Sequence, residues 1–111
     1  MNQASLETTN FDWLQAWYMS QCNDEWEHQY GIVLTTFDNP GWDLQVDLEN
    51  TYLEGRPFER VKIERDEHDW VHAFIEGKRF MAACGPLSLS EAIFHFRRWA
   101  QSPETAAPPV G

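Results

Sequence analysis

Hydrophobic positions recur with a helical period near the start of the chain. Phe11, Leu14 and Tyr18 fall at i, i+3 and i+7, with Trp13 and Trp17 on an adjacent stripe. The spacing predicts a helix over about residues 10–22 with a broad aromatic face. Thr9 or Asn10 is placed to cap it, and Asp12 suits its positively polarised first turn. Residues 23–29 read as a polar, acidic loop around Trp26. The period then shortens. Residues 30–37 (YGIVLTTF) are β-branched and aromatic, as in a strand. In 42–48, Trp42, Leu44, Val46 and Leu48 alternate strictly with Asp43, Gln45 and Asp47, which predicts a half-buried strand with an acidic outer face. Between the two lies Asp38-Asn39-Pro40-Gly41, which matches a type II turn and so predicts a hairpin.

Beyond a longer connection over 49–57, further strands are expected over 58–65, 70–76 and 79–84. Val61 and Ile63 point inward in the first of them, and Gly77-Lys78 forms the tight turn before the last. Gly85-Pro86 ends the sheet. Ser88 and Glu91 have capping-box spacing before a helix over about 89–101. That helix sets Leu89, Ala92, Ile93, Phe96, Trp99 and Ala100 on one side and Glu91, His95, Arg97 and Arg98 on the other. The order is α-β-β-β-β-β-α, an α+β fold. Short connections favour an antiparallel meander sheet of about five strands, packed on one face by the N- and C-terminal helices. Residues 1–9 are polar and 102–111 are Pro-rich, so both read as flexible segments around a single domain over 10–101.

Composition fits one small domain with a real core: 111 residues, 42% hydrophobic, with 6 Trp, 3 Tyr and 7 Phe. Charge sharpens the picture. The formal net charge is −10. Residues 1–55 hold ten carboxylates (Glu7, Asp12, Asp24, Glu25, Glu27, Asp38, Asp43, Asp47, Glu49 and Glu54) and no Lys or Arg. Residues 56–111 hold all eight basic residues and eight acidic ones, so the net charge sits in the first half. Nucleic acid and anionic membranes are poor partners for such a chain, because both demand Lys and Arg. A basic protein is a good one, although acidity alone also serves solubility. No apolar run reaches transmembrane length and no basic start precedes an apolar stretch. The expectation is therefore a cytoplasmic protein, a monomer or weak dimer, with Cys22 and Cys84 reduced and at least partly buried.

Candidate chemistry is sparse. His68 and His72 flank Asp69, but a turn leading into a strand does not aim both rings at one ion, so no metal is implied. No nucleophile elbow, low-pKa cysteine context or phosphate loop occurs, and no cofactor is indicated. Paired carboxylates leave a small acid–base enzyme as an alternative, and a general acidic adaptor for basic proteins as another. Glu25-Trp26-Glu27-His28 admits two readings. Trp26 either anchors its loop against the sheet or serves as an aromatic hot spot ringed by charge.

One set of strings is specific. Trp13-Leu14-Gln15-Ala16-Trp17-Tyr18, Cys22-Asn23-Asp24, Trp26-Glu27-His28, Tyr30-Gly31 and Asp38-Asn39-Pro40-Gly41-Trp42 occur in this order. Asp47-Leu48, Thr51, Leu53-Glu54-Gly55, Phe58, Asp69-Trp70, Gly85-Pro86 and Trp99 follow. Over roughly residues 11–100 the chain resembles the bacterial immunity protein 53 family. The resemblance implies an antidote of a polymorphic toxin system, a non-enzymatic protein that binds a cognate toxin domain and blocks it. It also implies that Trp13, Trp17, Pro40, Gly41 and Trp42 hold the fold. Combined with the charge, it suggests a cationic, nuclease-type toxin. The candidate contacts are Asp24, Glu25 and Glu27 around the anchor Trp26, with Asp43, Asp47 and Glu49 on the outer face.

Overall fold

A computed structural model describes residues 8–102. The flexible segments expected at the two ends lie almost wholly outside these residues. The described chain forms helix α1 (Asn10–Gln21), a single-turn helix α2 (Trp26–Gln29), strands β1 (Ile32–Phe37), β2 (Gly41–Asp47), β3 (Val61–Asp66), β4 (Asp69–Glu76) and β5 (Arg79–Cys84), and helix α3 (Leu89–Gln101). All five strands are antiparallel and lie in one sheet, with α1 and α3 as the terminal helices.

The order across the sheet is β1-β2-β5-β4-β3, so the expected meander is interrupted once. Burial and charge account for it. Phe80 and Ala82 of β5 and Val71 and Ala73 of β4 are almost fully buried and take central places. β3 carries Lys62, Glu64, Arg65 and Asp66 and takes an edge, where charge deters further pairing. Residues 48–60 carry the chain across to that edge and are pinned by buried Leu48 and Leu53.

Register aligns the inward residues into rows. Leu34, Leu44, Ala82, Ala73 and Val61 form one, and Ile32, Val46, Phe80 and Ile75 another. α3 covers this face with Ala92, Ile93, Phe96 and Ala100, and α1 packs beside α3 with Leu14 and Trp17. Phe96 is the hub. Its ring lies 5.1 Å from Trp17, 4.9 Å from Phe80 and 5.8 Å from Trp13. Thr9 caps α1 as expected, its hydroxyl accepting the Asp12 N–H at 3.0 Å.

Three local expectations change. In α1 the inward stripe is Trp13, Leu14 and Trp17, while Phe11 and Tyr18 are exposed, since one helix cannot bury its whole circumference against a single neighbour. The hairpin turn is not type II. The Asn39–Pro40 bond is cis, and Gly41 opens β2 because a Cβ there would strike the Phe37 ring and the Cys84 carbonyl. The capping box does not form: Ser88 makes no side-chain cap, and Glu91 instead binds Arg65 through two hydrogen bonds of 3.0 and 2.7 Å. A charged, two-pronged partner outcompetes a backbone amide.

Arg65 also reaches Asp69 at 2.8 Å, so it ties the β3–β4 turn to α3. Its hydrogen bonds hold the Glu91 carboxyl below the ordinary range. A lowered carboxylate pKa contributes stability above the unfolded value and loses it as pH falls through the folded one. Arg65→Met is therefore expected to lower the melting temperature by a few degrees at pH 7. Its melting temperature should also fall less steeply than the parent's between about pH 5 and pH 3, as read by circular dichroism melts.

Candidate functional site

The sheet order turns the charge asymmetry of the sequence into a spatial one. α1, α2, β1 and β2 carry no Lys or Arg and occupy one side of the molecule. β3 lies at the opposite edge with Lys62 and Arg65. Basic groups reach the acidic side from two places: Arg97 of α3 donates to the Thr8 carbonyl and the Asn10 side chain at the start of α1, and Lys78 and Arg79 come from the β4–β5 turn. Lys78 lies 3.2 Å from Glu54 and 3.7 Å from Glu49, and Arg79 donates to Asp47 at 2.9 Å. The Lys78 pKa is raised by its Glu54 hydrogen bond and by Glu49.

The candidate contacts consequently divide. Asp47 is a scaffold group: besides Arg79 it accepts the Gly31 N–H at 3.0 Å, closing the start of β1 onto β2. Glu49 sits beside Lys78, and its carbonyl accepts the indole N–H of Trp26 at 2.9 Å. Trp26 itself is 4% exposed, with its ring 6.3 Å from Trp17, 6.1 Å from Tyr18 and 6.2 Å from Tyr30. The indole thus pins the 23–27 segment into the core rather than presenting a surface anchor. That segment is more ordered than a loop. The Asn23 side chain accepts the N–H groups of Glu25 and Trp26, and the Glu27 carboxylate accepts those of Asn23 and Asp24. Backbone N–H groups hold the Glu27 pKa low.

Asp24 and Glu25 remain displayed on this rigid turn, with Asp24 held in the left-handed region at φ 77°. Asp43 stands on the sheet face away from the helices, opposite Thr35 on β1, and accepts the Gln45 amide at 2.9 Å. Asp38 is exposed in the β1–β2 turn, and Asp12 lies in the first turn of α1. Among the described residues, no Lys or Arg forms an ion pair with Asp12, Asp24, Glu25, Asp38 or Asp43.

Sequence reasoning passed over an apolar feature between these carboxylates. A groove of about 340 Å³ runs between α1 and β1, lined by Phe11, Leu14, Gln15, Tyr18, Ile32 and Leu34. Phe11 is 49% and Tyr18 38% exposed, although helical spacing set both on the broad aromatic face of the helix. The available signal was an excess: six large apolar residues on one short helix are more than one stripe can bury.

Other chemistry finds little footing. Glu27, Glu54 and Glu91 all have pKa values lowered by hydrogen bonds, opposite to the shift a carboxylic general acid requires. Cys84 is buried, which pushes its thiol up to about 11, away from nucleophilic use. A cavity of about 290 Å³ between Phe58–Val61 and α3 holds His95, expected on the outer side of its helix but nearly buried here, together with Arg60, Arg98 and a single carboxylate, Glu59. Among the described residues, no cluster of three or more His, Cys, Asp or Glu is placed to hold a metal ion, and no helix is long and apolar enough to cross a membrane.

Comparison with curated proteins and with solved structures finds no match. Comparison with family models does: the model of immunity protein 53 matches residues 11–101, from the first turn of α1 to the end of α3, and the chain belongs to the immunity protein 53 family.

Proposed function

We propose that this chain is a cytoplasmic antidote that neutralises a cognate cationic toxin domain by docking its acidic side onto the toxin's basic one. Membership of an immunity-protein family supports the antidote role and a toxin as partner. The observation that carries the mechanism is the one-sided charge. Asp24, Glu25, Asp38 and Asp43 lie on elements without a single Lys or Arg, while the cation-bearing edge strand is at the far end of the sheet. An enzyme that cuts nucleic acid must offer Lys and Arg to phosphates. Carboxylates held on a rigid frame meet the same groups through charge-assisted hydrogen bonds and occupy the groove the substrate needs. No catalysis by the antidote is required.

Opposite charge also governs speed. Steered association reaches about 10⁸–10⁹ M⁻¹s⁻¹ at low salt, and a catalytic poison rewards fast capture. The test is stopped-flow association of the chain with the toxin domain encoded beside it. Between about 20 and 500 mM NaCl the association rate is expected to fall at least ~10-fold, with dissociation changing far less. Tight binding with a salt-independent association rate would remove the electrostatic mechanism and leave the antidote role standing.

A further inference from the structure

We propose that the free edge of β1 is a docking strand, onto which the antidote takes an extended cationic segment of its toxin as a sixth strand. The inference rests on the antidote reading above and names the surface and the kind of segment it takes.

The two edges of the sheet are built differently. β3 is charged along its length, and its pairing with β4 shifts register between Glu64 and Asp66. Charge and irregularity are the usual guards of an edge. β1 reads Ile-Val-Leu-Thr-Thr-Phe, with no charge, no proline and an unbroken register against β2. Asp47 donates its N–H to the Gly31 carbonyl at 3.0 Å. Alternation along an antiparallel ladder then turns the N–H and C=O groups of Ile32, Leu34 and Thr36 outward. Among the described residues, no side chain or loop hydrogen-bonds to these groups.

The apolar groove runs along this same edge. An incoming strand would pair its backbone with Ile32, Leu34 and Thr36. Alternate side chains would enter beside Phe11 and Tyr18, and the others would lie over Val33, itself 50% exposed. Exposed apolar area of this kind, next to unpaired backbone, is an unusual surface for a protein to leave uncovered.

Charge selects the occupant. Carboxylates flank β1 along the chain: Asp24 and Glu25 lie exposed just before α2, Asp38 directly follows the strand, and Asp12 is on α1, whose side chains line the groove. A second copy of this chain would set carboxylates against carboxylates in either strand direction. A segment alternating apolar residues with Lys or Arg satisfies the groove and the rim together, and such a segment is within the repertoire of a phosphate-handling toxin.

Thr36 supplies the test, because it is exposed and its N–H points away from β2. The full chain is mixed with an inactivated form of the toxin domain encoded beside it. Thr36→Pro is expected to weaken binding at least ~100-fold and Thr36→Val by less than ~3-fold, with the melting temperature of both near the parent's. If Thr36→Pro also lowers the melting temperature, Thr36→Lys, which guards the edge by charge alone, carries the same expectation. Hydrogen exchange of the Ile32, Leu34 and Thr36 amides should slow at least ~10-fold in the complex. Parent-like affinity in Thr36→Pro or Thr36→Lys, or unchanged exchange at these amides, overturns the docking strand while the antidote reading survives. A parent dimer in sedimentation that Thr36→Pro dissolves assigns the edge to a second copy and overturns it as well. If the parent chain fails to bind or neutralise the toxin, the antidote reading falls and the docking strand with it.

Discussion

Trp26→Ala is expected to cost about 3–5 kcal/mol of folding free energy, a large share of the roughly 5–15 kcal/mol that holds a domain together. The indole is 4% exposed, meets three aromatic rings edge-on or tilted, and donates its N–H to the Glu49 carbonyl at 2.9 Å. Truncation opens a cavity under α1 and leaves that carbonyl without its indole partner. For a domain near this size, each 1 kcal/mol shifts the melting temperature by about 4–8 °C, so the expected drop is at least ~12 °C. Trp26→Phe keeps most of the buried area, loses only the hydrogen bond, and should fall well short of that drop. Thermal melts paired with binding assays below the melting point distinguish a scaffold residue from a contact. A scaffold Trp26 gives a large thermal loss with binding retained by the folded fraction. Trp26→Ala with a parent-like melting temperature and abolished binding would restore the hot-spot reading.

Trp26 also marks where sequence reading stops. Its neighbours Glu25, Glu27 and His28 are polar, which suggests exposure. Its burial depends on the return of the chain at Glu49, which no local pattern announces. Periodic signals carried further. Strict alternation located β2, the Phe96 and Ala92-Ile93 stripe located the inner side of α3, and the run of β-branched residues located β1. Signals without period failed. Nothing in residues 48–60 marks a crossing to the far edge, so β5 beside β2 was invisible. The capping box at Ser88 was a sound local signal, yet an arginine 26 residues away claimed its glutamate. In the same way Lys78 and Arg79 neutralise Glu54, Glu49 and Asp47 from the other half of the chain, so a charge count by sequence position overstates the free acidity. The candidate site was legible as an acidic surface. Which of its carboxylates remain available was decided by tertiary pairing.

That pairing dictates which charge reversal is informative. Asp47→Lys strips Arg79 of its partner and the Gly31 N–H of its acceptor, so lost protection could come from a loosened β1 alone. Asp38 and Asp43 carry no such duty. Asp38 is exposed in the turn, and Asp43 accepts one hydrogen bond from Gln45. The double variant Asp38→Lys with Asp43→Lys is expected to keep the melting temperature within a few degrees: Asp38 is exposed, where substitutions usually change stability by less than about 0.5 kcal/mol, and Asp43 is half-buried on the sheet face away from the helices with Gln45 as its hydrogen-bond partner. Toward the toxin its effect is expected to be large. Two attractions become two repulsions, and binding should weaken at least ~100-fold, or about 2.7 kcal/mol. Most of the loss should appear in the association rate at low salt and shrink as salt screens the new charges. Co-expression with the active toxin gives the cellular readout, with growth protected by the parent and lost with the double variant. A variant that melts like the parent and still protects would place the toxin elsewhere on the antidote.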